Sequence, residues 1–250
     1  MVKNKEELIN QKKAITKESD GLIHGCTGIA IVGKATNTNE NKDEIEVLAV
    51  INTTNVLDSH SDVHIPGIWD KSLNENKRIM HVQEHKMAFD KIIASGEDLK
   101  AYVAEYPFKQ LGFDAEGTTQ ALMFDSKIKE SRNKYMFEQY QNGYVENHSV
   151  GMRYVKLVLA INDEEYGAEF EAWEKYYPQI FVGKEQAERQ GYFWAVTEAK
   201  VIEGSAVPIG SNTITPTLEV KNEPPNGTQN NEPQTSTLNY NKIIKHFKSN

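Results

Sequence analysis

The stretch GYVENHSVGMRY, residues 143–154, decides how the rest of the chain is read. After its opening glycine it reads as a β-strand, and on a strand successive side chains point to opposite faces. His148 and Ser149 are therefore expected back to back. Immediately upstream the period changes. In SKIKESRNKYMFEQYQNG (126–143), Ile128, Tyr135, Phe137 and Tyr140 stand at roughly helical spacing. Ser126 suits the N-cap of such a helix and Gly143 its C-terminal stop. Downstream, the acidic and aromatic residues 162–190 suggest one or two inserted helices, and GYFWAVTEAKVIEGSAV (191–207) returns to strand.

The pattern continues outward. GIAIVGKA (28–35), IEVLAVINTT (45–54), RIMHVQEH (78–85), KIIASGED (91–98), KAYVAEYPF (100–108) and TTQALMFD (118–125) are short apolar runs bounded by polar turns, as strands are. Pro66-Gly67 marks a turn, and IWDKSLNENK after it suits a short helix. Residues 1–20 alternate Lys and Glu, as in a solvated helix or frayed tail. Beyond about residue 218 the chain is Pro, Asn, Thr and Gln with little to bury, and such a segment cannot offset its ordering entropy. Its last residues, NKIIKHFKSN, form a small basic amphipathic end. The expectation is a mainly β (α+β) domain, a barrel or sandwich with helices outside. It spans residues 28–217, between a polar extension (1–27) and a disordered tail (218–250).

The 250 residues suffice for one sizeable core, and 38% of them are hydrophobic. A net charge of −8 argues against a nucleic-acid partner, which needs clustered Lys and Arg. No apolar run approaches the ~18 residues of a membrane span, and the polar N-terminus does not read as a secretory signal. Cys26 is the single cysteine, so no internal disulfide forms, which fits a reducing cytoplasm.

Ser149 is the candidate nucleophile, although Asn147 stands where the Gly-x-Ser-x-Gly elbow of hydrolases has its first glycine. His148 adjoins it but faces away. His24 and His246 lie in the tails, so His81 and His85 are the candidate bases, at even separation on one expected strand. A histidine on a strand is also a common structural residue. Gly151 suits either a bulge or a close approach to substrate. Glu198 and Glu203 are the carboxylates available to orient an imidazole. Separately, DSHSDVH gathers Asp58, His60, Asp62 and His64, which in an extended segment share one face and offer zinc or manganese ligands. The structural alternative is a polar loop whose carboxylates cap turns.

Taken in order, VLDSHSDVHIPGIWDKSL, RIMHVQEHKMAFDKIIASG, YQNGYVENHSVGMRY and VIEGSAVPIGSN resemble the motifs of the HK97-type phage prohead (capsid maturation) serine proteases, relatives of the herpesvirus assemblins. The resemblance covers roughly residues 28–213. It implies a partly open, assemblin-like β-barrel surrounded by helices, and a serine endopeptidase without cofactor. Ser149 would be the nucleophile, His85 the general base and Glu203 the residue that orients His85, with Glu198 in reserve. The implied partners are the major capsid and scaffolding proteins, cleaved inside a prohead assembling in the host cytoplasm; self-cleavage and homo-oligomerisation stay open. In that family the Asp-rich turn is structural, so no metal is implied. This chain departs from the family pattern in its long 162–190 insertion, in Gly204 where a β-branched residue is usual, and in having no arginines after the last motif, which leaves backbone N–H groups as the expected oxyanion donors. Two alternatives stand beside the protease: a non-cleaving capsid-assembly or scaffolding protein, and a metal-dependent hydrolase built on the Asp58–His64 cluster.

Overall fold

A computed structural model describes residues 5–15, 43–76 and 78–221. The strand expected at 28–35, Cys26, His24 and the chain from residue 222 onward, His246 included, lie outside the described residues.

Among the described residues, strand outweighs helix, as expected for a mainly β chain with flanking helices. One sheet contains β1 (Glu44–Thr53), β5 (Leu99–Pro107), β6 (Thr118–Lys129) and β9 (Thr217–Lys221), in the order β5-β6-β1-β9. The other runs β2-β8-β3-β4, where β2 is Asp62–His64, β3 Met80–Gln83, β4 Ile92–Ser95 and β8 Tyr192–Val207. The long β7 (Asn147–Ile161) pairs antiparallel with β8 along its length. On the opposite edge of β8, β2 and β3 lie end to end, both parallel to it. Both sheets are open; they are not closed into a barrel.

The sheets pack face to face over one core. Ile45, Val47, Ile51 and Phe124 come from the first sheet, and Val196 and Val201 from the second. Gly204 lies where they pack tightly. A Cβ there would sit 2.5 Å from Phe124 and 2.9 Å from Ile51, well inside van der Waals contact. The glycine that departs from the family pattern is thus required by packing.

Among the described residues, five α-helices decorate the sheets: α1 (Lys5–Ile15), α2 (Asp70–Glu75), α3 (Lys134–Gln141), α4 (Gly167–Tyr176) and α5 (Lys184–Gln190). The last two lie in the 162–190 insertion, which packs Trp173, Ile180 and Ala187 into one cluster with Phe193. Three expectations are corrected. The helix expected from Ser126 begins at Lys134, capped by the Asn133 side chain, because β6 runs on to Lys129 with Ser126 fully buried in it. The N-terminal segment is not merely solvated: α1 buries Leu8 against Leu159, Ile161 and Trp194. The tail boundary also moves. Residues up to Lys221 form β9, whose Val220 faces the core, so the polar tail starts later than residue 218.

Candidate functional site

The antiparallel register of β7 and β8 sets the site. Asn147, Ser149 and Gly151 stand opposite Val207, Ser205 and Glu203, and the intervening His148 and Val150 stand opposite Ala206 and Gly204. Since side chains alternate, Ser149, Gly151, Ser205 and Glu203 share one face, while His148 and Gly204 share the face that meets the other sheet. Directly opposed residues bring their Cβ atoms to about 4.5–5.5 Å, which sets the spacing of Ser149 and Ser205.

His85 joins them from β3. The strand stops at Gln83, and a tight turn closes with Lys86 N–H donating to the Gln83 carbonyl at 3.0 Å. Its two central residues, Glu84 and His85, have φ of 51° and 56°. Left-handed backbone at a non-glycine residue costs on the order of 1 kcal/mol or more and persists only where the surroundings enforce it. The turn also corrects the expectation that His81 and His85 share a face. His81, still on the strand, points into the core, whereas the turn swings His85 to the Ser149 side.

There His85 Nδ1 and Glu203 Oε1 are 2.7 Å apart. A carboxylate only accepts, so Nδ1 carries a proton; in the neutral imidazole Nε2 then holds the lone pair, the tautomer a general base needs. Glu203 is almost fully buried, while the imidazole is about one-third exposed, with side-chain exposures of 5% and 35%. Gly151 makes this pairing possible: a Cβ at position 151 would lie 1.8 Å from Glu203 Oε1. The backbone bulge after Gly151 is consistent with that close approach. Ser149 is itself largely buried and forms no hydrogen bond with His85. The structure therefore brings Ser149, His85 and Glu203 to one face with the imidazole oriented, and leaves the Ser149–His85 contact unmade. Such contacts commonly tighten only with substrate bound.

Glu198 is elsewhere, paired with Lys71 at 3.2 Å and Lys156 at 2.6 Å. His148 and His81 belong to a closed core network. His148 Nδ1 donates to the Thr215 carbonyl (3.0 Å), so its Nε2 accepts from Tyr140 Oη (2.9 Å). Tyr140 Oη then accepts from His81 Nε2 (3.0 Å), and His81 Nδ1 accepts from Ser126 Oγ (2.9 Å). Burial lowers both imidazole pKa values, that of His148 to about 4, and raises that of Tyr140.

The Asp-rich segment folds differently from an extended run. Asp58 Oδ1 accepts the backbone N–H groups of His60 (2.8 Å) and Asp62 (2.9 Å), and Ser61 has φ of 59°, so the four expected ligands do not share one face. Asp58, Asp62 and His64 do converge, with ligand atoms all within 4.8 Å of one another, close enough to hold one metal ion; His60 is not part of the trio. Lys12 of α1 forms a buried ion pair with Asp62 Oδ1, and Tyr154 donates to Asp62 Oδ2. Burial, reinforced by Asp62, raises the Asp58 pKa well above its ordinary value, while burial lowers that of His64 to about 4. Nothing in residues 1–20 advertised Lys12, because only the tertiary fold brings α1 to β2.

The chain was compared with protein-family models, with curated proteins and with solved structures, and no match was found in any of the three.

Proposed function

We propose that the protein is a serine endopeptidase in which Ser149 attacks, His85 takes its proton and Glu203 orients His85. The observation that carries this is the 2.7 Å bond between His85 Nδ1 and Glu203 Oε1 on the face that bears Ser149. In the reaction, Ser149 Oγ bonds to the scissile carbonyl carbon as its proton passes to His85 Nε2. The resulting imidazolium is stabilised by Glu203, then protonates the leaving amine as the C–N bond breaks. Water hydrolyses the acyl-enzyme by the same route reversed.

The motif resemblance extends this reading to the substrate and setting: scaffold or capsid-protein segments, cleaved within an assembling prohead on an assemblin-like arrangement of the two sheets. The test is to co-express the chain with a candidate capsid protein, wild type against Ser149→Ala. Processing should vanish in the variant; processing that persists unchanged overturns the serine mechanism. A chelator that abolishes cleavage would instead transfer the activity to Asp58, Asp62 and His64, and no cleavage by either chain would favour an assembly role.

A further inference from the structure

Ser205 has no part in the reaction outlined above, yet its hydroxyl touches both groups that prepare the base. Its Oγ lies 2.8 Å from the backbone N of His85 and 2.7 Å from Glu203 Oε2. The N–H can only donate, so Oγ accepts there, and its single proton goes to the carboxylate. With the Nδ1 bond, this closes a ring: His85 N–H to Ser205, Ser205 O–H to Glu203, and His85 Nδ1–H to Glu203. Ser205 is fully buried, so its polar contacts are internal to this ring.

The ring answers a question the turn raises. Two consecutive left-handed residues usually call for Asn-Gly or Gly-Gly, and here they are Glu84 and His85. Besides its own closing bond, the turn is held by Glu84 N–H to the Ala206 carbonyl (3.0 Å) and His85 N–H to Ser205 Oγ. Both anchors lie on β8, the strand that carries Glu203.

We infer that Ser205 is a positioning residue: its hydroxyl ties the His85 turn to the Glu203 carboxylate and so fixes where the general base presents Nε2. This rests on the Ser149–His85–Glu203 reading. The test uses the full chain in two pairs that differ only by the hydroxyl, wild type against Ser205→Ala and Ser205→Thr against Ser205→Val, so one pair still reports if the other folds poorly. A fluorophosphonate reports Ser149 reactivity, and proton NMR in a Ser149→Ala background reports the His85 Nδ1–H resonance without any need for activity. Labelling of Ser149 should slow about 10- to 100-fold without the hydroxyl, the scale set by small misplacements of a reacting group. The resonance should broaden or vanish together with it, and both should return in Ser205→Thr. Equal labelling rates and an unchanged resonance within a folded pair overturn the positioning role. A wild-type chain whose Ser149 never labels overturns the protease reading instead, and there the resonance alone decides whether Ser205 holds the His85–Glu203 pair.

Discussion

His148 and Ser149 are neighbours in the chain, but they belong to opposite kinds of chemistry. On the His148 face every polar atom of the network has a partner: Ser126, His81, Tyr140, His148 and Thr215 form one directed chain of hydrogen bonds. On the Ser149 face, His85 has one nitrogen held by Glu203 and the other free of any such chain. A fully satisfied and buried imidazole is kept neutral and serves as packing. An imidazole held at one end by a carboxylate, with the other end open, can accept a proton. One residue step along a strand separates the two.

Acid should break this contrast most strongly, and from the closed side. Burial holds His148 at about 4 in the folded chain, against ~6.5 for an unfolded histidine. Between those values the unfolded state binds more protons, so stability is complete above ~6.5 and is lost as pH falls toward 4. His64, also at about 4, adds to the effect. Each contributes on the order of 3 kcal/mol at the acid end. Denaturant midpoints measured from pH 7 to pH 4 should fall, less steeply than the two imidazoles alone would give because the raised Asp58 carboxyl opposes the loss; a His148→Gln variant with the same pH profile as the wild type would mean that this imidazole is not held neutral.

Gly151→Ala strikes the open side. The new methyl would occupy the place of Glu203 Oε1, so the carboxylate must withdraw from His85. Activity should drop about 100-fold or more. Near wild-type turnover in this variant would show that the His85–Glu203 bond is dispensable.

Tyr140→Phe is the cleanest of the three, with the smallest expected effect on activity. It strips the partner from His81 Nε2 and His148 Nε2 together, at a cost of about 1–3 kcal/mol for each stranded group. Turnover per folded molecule should be unchanged, because the variant leaves the other face intact. Lost turnover with unchanged stability would reverse the division of labour between the faces.

Alternation alone sufficed to make His148 a bystander, since it requires only that 147–151 be a strand. The same rule misplaced His85, because it assumed the strand continued past Gln83; two left-handed residues without a glycine leave no mark in composition. Glu203 came from motif resemblance, and its local surroundings did not distinguish it from Glu198. What separates them is long-range: the space left beside Gly151 for one, and two lysines for the other. Ser126 read as a cap because a hydroxyl before a helical pattern usually is one, and its partner His81 lies 45 residues away. Contacts of that span follow from the pairing of the sheets.

The ion pair between Lys12 and Asp62 gives α1 a meaning that its place in the chain hides. A carboxylate enclosed by protein needs its cation close by, because an uncompensated buried charge is costly. The attachment of the helix and the electroneutrality of the interior beside β2 are therefore a single thermodynamic event. Any process that peels α1 away must also re-solvate Asp62, so an eleven-residue helix is bound more cooperatively than the apolar contacts of Leu8 alone would make it.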